Sequence, residues 1–79
     1  MARLTVRDTE LPAVVTASGC EFTCLLPDLP GVTELLPLVV RGERAVVTDH
    51  QGSDWNGVVV RVSADDREVT VNADPRNWW

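Results

Sequence analysis

The sequence contains no lysine, no isoleucine and no tyrosine, a single phenylalanine, a single histidine and only two cysteines. With lysine absent, all seven basic residues are arginine, set against twelve acidic ones for a net charge of -5. The deficit runs along the whole chain, with 2 basic and 5 acidic residues in 1–40 and 5 and 7 in 41–79. Neither half offers the positive face through which a nucleic-acid binder displaces counterions from phosphate, and the field repels phosphate at long range. No apolar run approaches the roughly 18 residues that a membrane span needs, and the opening MARLTVRDTE lacks the apolar stretch of a signal peptide. The expectation is a cytoplasmic or virion protein with no membrane partner.

Two cysteines and one histidine also limit cross-linking and metal chemistry. On a strand, Cys20 and Cys24 would lie ~13 Å apart at ~3.3 Å per residue, beyond the roughly 7 Å Cα limit of a disulfide. A tetrahedral zinc site needs four ligands, and no second Cys or His cluster supplies them. Both cysteines are expected as buried apolar thiols sharing a face with Phe22, with no metal and no cofactor. At 79 residues the chain is one domain, residues 1–79. So small a domain buries only about 60% of its unfolded surface, leaving little room for an enclosed active site.

With isoleucine absent, valine is the only apolar β-branched residue, present 14 times, and its placement alternates. Leu4 and Val6 share one face of a strand over 3–7, with Arg3 and Arg7 on the other. Leu11, Ala13, Val15 and Ala17 line a second strand, and Ser18-Gly19 signals a hairpin turn. Cys20, Phe22, Cys24 and Leu26 then face one way. Pro27 and Pro30-Gly31 interrupt regular structure. Between 33 and 40 a helical turn opened by Thr33 and stopped by Pro37 competes with an edge strand. A strand over 45–48, a polar loop over 49–56 and a strand over 57–63 follow. The last strand, 68–73, sets Val69, Val71 and Ala73 opposite Val58, Val60 and Val62. This pattern predicts an all-β fold, a small antiparallel barrel or sandwich of five to six short strands, with 74–79 as a Trp-rich C-terminal tail.

Gly42-Glu43-Arg44, Val46-Val47, Gln51-Gly52 and Gly57-Val58-Val59 follow one another across residues 42–71. In this order they resemble the sequence style of Src-homology-3-like barrels, particularly the KOW type. The resemblance implies a small barrel, and KOW-type modules are associated with RNA through basic loop residues. Here the corresponding loop carries Asp49 and Asp54 and no basic residue. The resemblance therefore points to the barrel more than to RNA, and many such barrels bind proteins through aromatic residues near their loops.

Asp49, His50, Ser53 and Asp54 contain the residue types of a hydrolytic triad. A triad further demands a base within reach of the nucleophile, a group fixing its tautomer, and donors aimed at an oxyanion. A loop with two acids, a glycine and a serine reads instead as a solvated connection, with His50 a solvent-facing bystander and no catalytic residue. The arginines are scattered among carboxylates and read as surface charge.

Trp55, Trp78 and Trp79 are the informative residues, because each indole carries up to roughly 250 Å² that is costly to leave in water. Trp and Arg dominate protein-interface hot spots, which makes Trp55, Arg76, Trp78 and Trp79 the candidate protein contacts. Adjacent residues of an extended tail point to opposite faces, so one of Trp78 and Trp79 is left for a partner. The function expected is non-catalytic docking to other protein chains in a homo- or hetero-oligomeric assembly. The residue absences fit a GC-rich coding sequence, as in a bacterium or its viruses, so a small virion or prophage head or tail accessory component is the particular expectation. A KOW-like nucleic-acid-binding barrel is the alternative, disfavoured by the charge.

Overall fold

The computed structural model describes residues 2–73. The 74–79 tail, with Arg76, Trp78 and Trp79, lies outside the described residues. Seven strands form one open antiparallel sheet: β1 (Arg3–Val6), β2 (Thr9–Pro12), β3 (Val14–Ser18), β4 (Glu21–Leu25), β5 (Arg44–Thr48), β6 (Asp54–Ser63) and β7 (Glu68–Asn72). Their spatial order is β2-β1-β5-β6-β7-β4-β3. The all-β class is as the alternation predicts, with more strands than the five to six read from it.

The extra strand comes from residues 11–17, which alternate as one run but divide at Ala13. Pro12 has no N–H and cannot continue a paired strand. The amide of Ala13 donates instead to the carbonyl of Ala2 at 3.3 Å. The chain leaves β2 at one end of the sheet and enters β3 at the other. A single residue thus ties the two outermost strands together, and the sheet wraps around its own apolar face.

The β1–β2 hairpin closes at Val6 opposite Thr9 around Arg7-Asp8, whose φ angles are 53° and 60°. Two successive left-handed residues give the turn that matches the twist of the flanking strands. Arg7 therefore leaves the strand face expected for it beside Arg3. Its guanidinium reaches Glu43 Oε1 at 2.6 Å and the carbonyl of Leu38 at 2.7 Å. Arg3 pairs diagonally across the hairpin with Glu10 at 3.4 Å.

The open question of 33–40 resolves as helix. A short helix α1 (Pro30–Leu35) runs into a 3-10 turn, Leu36–Leu38. Pro30 starts the helix, where its missing N–H costs nothing and its fixed φ suits the first turn. Val32 and Leu36, four apart, face the core.

In β6 the expected inward set of Val58, Val60 and Val62 is wrong by one residue along half the strand. Val59 pairs with Val71, but the next partners are Arg61 and Thr70. The inserted Val60 is a β-bulge that shifts the alternation. Val59 is consequently buried at 1% exposure, while Val58 and Val60 are only half-buried. Beyond the bulge, Val62 packs on the core opposite Val69. Leu4, Val6, Cys24, Val47, Val69 and Val71 complete the core's centre.

Candidate functional site

The polar loop between β5 and β6 is built around Asp49. One carboxylate oxygen, Oδ1, accepts the backbone amides of Gln51 and Ser53, both at 2.9 Å. The backbone closes the same loop, with the Asp49 amide donating to the Ser53 carbonyl at 2.9 Å and the Gly52 amide to the Asp49 carbonyl at 3.0 Å. Gly52 sits at φ 88°, a conformation that side-chain-bearing residues rarely adopt. The second carboxylate oxygen, Oδ2, accepts the indole Nε1–H of Trp55 at 3.0 Å. These donors, led by the indole N–H and then by the Ser53 amide, favour the charged form and hold the Asp49 carboxyl below its ordinary 3.8.

Trp55 is not at the end of the loop, as its neighbours suggest, but is the second residue of β6, paired with Val47. At 44% exposure it is a large apolar side chain left open to solvent. Its ring lies 5.5 Å from that of Phe22 on β4, tilted by 37°, within the range of favourable aromatic pairing. Next to it, Asp54 Oδ1 accepts the hydroxyl of Thr48 at 2.7 Å. Both ends of the indole are therefore fixed: the N–H by Asp49 and the ring by Phe22.

Around this pair opens a groove of about 660 Å³. Val15, Ala17, Phe22, Trp55 and Ala73 give it an apolar floor. Asp49, His50, Gln51, Asp54 and Asn56 form a polar rim on one side, and Gly19 and Cys20 form the other. Among the described residues no arginine lines it, so the formal charge they give the rim is negative.

His50 is exposed but is not a bystander. Its Nε2 accepts the backbone amide of Val15 on β3 at 3.4 Å, which places the ring's proton on Nδ1 when the imidazole is neutral. The loop thereby reaches across the open side of the sheet to β3. The candidate triad residues are spent elsewhere: Asp49 on the turn and the indole, His50 on β3, Asp54 on Thr48. Among the described residues no hydrogen bond joins His50 to Ser53.

The two cysteines separate. Cys24 is buried on β4, and burial pushes its thiol up to about 12. Cys20 is exposed, contrary to the buried position expected for it. It sits in the Gly19-Cys20 turn between paired Ser18 and Glu21, outside the strand whose alternation would have turned it inward. Its carbonyl accepts the amide of Ala73 at 2.8 Å, fastening the end of β7 to the groove wall. Arg76, Trp78 and Trp79, the other proposed contacts, lie outside the described residues.

Sequence reasoning found Trp55 and missed Phe22, Cys20 and the role of Asp49. The order Asp49-x-x-Gly52-Ser53 was the available signal, since an Asp side chain commonly accepts amides two residues or more downstream in such turns. Neither family models, nor curated proteins, nor solved structures give a match to this chain.

Proposed function

We propose that this chain is a non-catalytic docking domain that takes an aromatic-bearing segment of another protein chain in the groove beside Trp55. The observation that carries this reading is Trp55 itself, half-exposed yet locked at both ends by Asp49 and Phe22. A large aromatic surface held rigid over an apolar floor loses little entropy on binding, the property that makes Trp an interface hot spot. A groove volume of about 660 Å³ suits a few side chains of a partner. The acidic rim favours a segment carrying arginine or lysine and opposes nucleic acid. On this reading the chain is a small subunit or adaptor of an assembly, a virion accessory component among them, and the Src-homology-3-like resemblance belongs to the same proposal.

Selection from a displayed peptide library on the native chain tests the reading. Enriched peptides should share an aromatic anchor beside a basic residue, shift the amide resonances of Ala17, Phe22 and Trp55, and lose binding to a Trp55→Ala chain that keeps its native amide spectrum. Peptides that bind the Trp55→Ala chain equally well, or no enrichment at all, would overturn it.

A further inference from the structure

Two of the arginines stand apart from the others. Arg3 and Arg7 face carboxylates at 3.4 and 2.6 Å, and Arg67 Nε donates to the carbonyl of Leu26 at 3.3 Å. Arg41 and Arg61 are exposed, and among the described residues neither guanidinium has a hydrogen bond or an ion pair. Both line one hollow of about 390 Å³, with Val39, Val60 and Val62 and, among the described residues, no carboxylate. The backbone brings them there. The Gly42 amide donates to the Val59 carbonyl at 2.7 Å and the Val59 amide to the Glu43 carbonyl at 2.8 Å, so the turn before β5 is pinned against the bulge in β6. Gly57 and Val59 are buried, and unbroken alternation would carry Arg61 inward with them. The inserted Val60 turns Arg61 out to the hollow that Arg41 lines. Two like charges set together in this way repel each other unless an anion stands between them.

The hollow is separate from the groove beside Trp55. Trp55 and Arg61 are both on β6, ~20 Å apart at ~3.3 Å per residue, and the two depressions share no lining residue. Leu38 and Val40, on either side of Val39, are each 56% exposed and extend its apolar surface. The geometry points to a second docking site, in which Arg41 and Arg61 take the carboxylate of an acidic residue on another protein chain while aliphatic neighbours of that residue pack on Val39, Val60 and Val40. A guanidinium fork matches a carboxylate through two parallel hydrogen bonds. A phosphate offers similar oxygens, but the chain's net charge of -5 repels a polyanion. Among the described residues, moreover, no aromatic ring lines the hollow for a base to stack on. A short acidic and aliphatic protein segment is therefore the occupant that both the charge and the lining fit. This site does not rest on the groove, whose rim has the opposite sign. With both filled, one small chain would hold a basic segment at one place and an acidic segment at the other.

The test is a selection on the native chain from a displayed library restricted to aspartate, glutamate, leucine, valine, alanine and serine. Enriched peptides should place an acidic residue beside leucine or valine. Titrated into the chain, they should shift the amide resonances of Val39, Arg41 and Val62 and leave those of Ala17, Phe22 and Trp55 in place. Affinity should fall about tenfold on an Arg41→Gln/Arg61→Gln chain and about threefold on either single variant. Both positions are exposed, so the fold should be kept, and a native amide spectrum checks that it is. Replacing the peptide's acidic residue by its amide should cost as much as the double variant, and added salt should weaken binding. No enrichment, or peptides that bind the double variant equally well, would overturn the inference. An oligonucleotide that moves the same amides more strongly than the peptides would overturn it in favour of a phosphate site. Shifts that grow with protein concentration alone would overturn it in favour of a second copy. None of these results touches the groove, whose reading stands or falls on binding that depends on Trp55.

Discussion

Gly57 is the position where a single added methyl should do most harm. It lies buried in β6, paired with Ala45 of β5 on one side and running beside the end of β7 on the other. A Cβ there would stand 2.5 Å from the carbonyl oxygen of Asn72, 3.0 Å from its carbonyl carbon and 2.7 Å from Val71 Cγ1. Two of these three atoms are backbone, in a stretch fixed by the Val58–Asn72 and Glu21–Asn72 pairings. Relief would need β7 to move by most of an ångström while its other neighbour holds it. Overpacking of this kind costs about 1–3 kcal/mol, and the unfolded-chain entropy that alanine removes returns only ~0.4–1. The net loss expected for Gly57→Ala is ~2 kcal/mol, out of a total stability of about 4–12 for a domain of this length. In a urea titration followed by far-ultraviolet circular dichroism the midpoint should fall with an unchanged slope, and the thermal midpoint should drop by about 10 °C. The matched control is Gly31→Ala in the first turn of α1, where nothing lies within 4 Å of the added carbon. It should stabilise by ~0.5–1 kcal/mol. A Gly57→Ala chain as stable as the native one would refute the close approach of β6 and β7 on which the groove's geometry depends.

Asp8 adopts φ 60° in the β1–β2 turn, so Asp8→Gly should raise stability by about 0.5 kcal/mol, the left-handed penalty less the added freedom of the unfolded chain; an unchanged or lower urea midpoint would count against the turn. Asp49 has its folded-state value below the unfolded 3.8, so its support of the loop is fully present above pH 3.8 and is lost as the pH falls through the lower folded value. The Trp55 indole N–H resonance should therefore titrate below pH 3.8 and show no such step in Asp49→Asn; a step at or above 3.8 would show that the carboxylate does not hold the indole.

What could be read in the sequence was whatever depends on neighbours along the chain. Leu4 and Val6, and Val69 and Val71, are each separated by a threonine, and all four are buried as that alternation requires. The run Val58-Val59-Val60 contains no polar residue to mark its outer face, so a one-residue bulge could reverse it without leaving a trace. Pro30 and Gly31 read as breakers because both weaken a helix interior, yet at a first turn proline's missing donor is not needed. The site was legible in its most conspicuous member and hidden in its connections. Trp55 stands out by type alone, but its contact with Phe22 spans an intervening helix and strand of sequence, and the reach of His50 to Val15 depends on the sheet having wrapped. Local pattern carries no information about such pairs.

The placement of His50 bears on how the borders of so small a sheet are shielded. An open sheet has two unpaired borders, and each is a template on which a stray strand from another molecule can add. At one border β2 is only four residues long and ends in Pro12, which has no hydrogen to offer. At the other, β3 would present its amides in a row, but the imidazole of His50 takes the one from Val15 and the loop that carries it stands in the way of an incoming chain. The same loop that holds the Trp55 indole thus also guards the border against a stray strand, and a change at His50 should be felt first as a tendency to form fibres or insoluble aggregates.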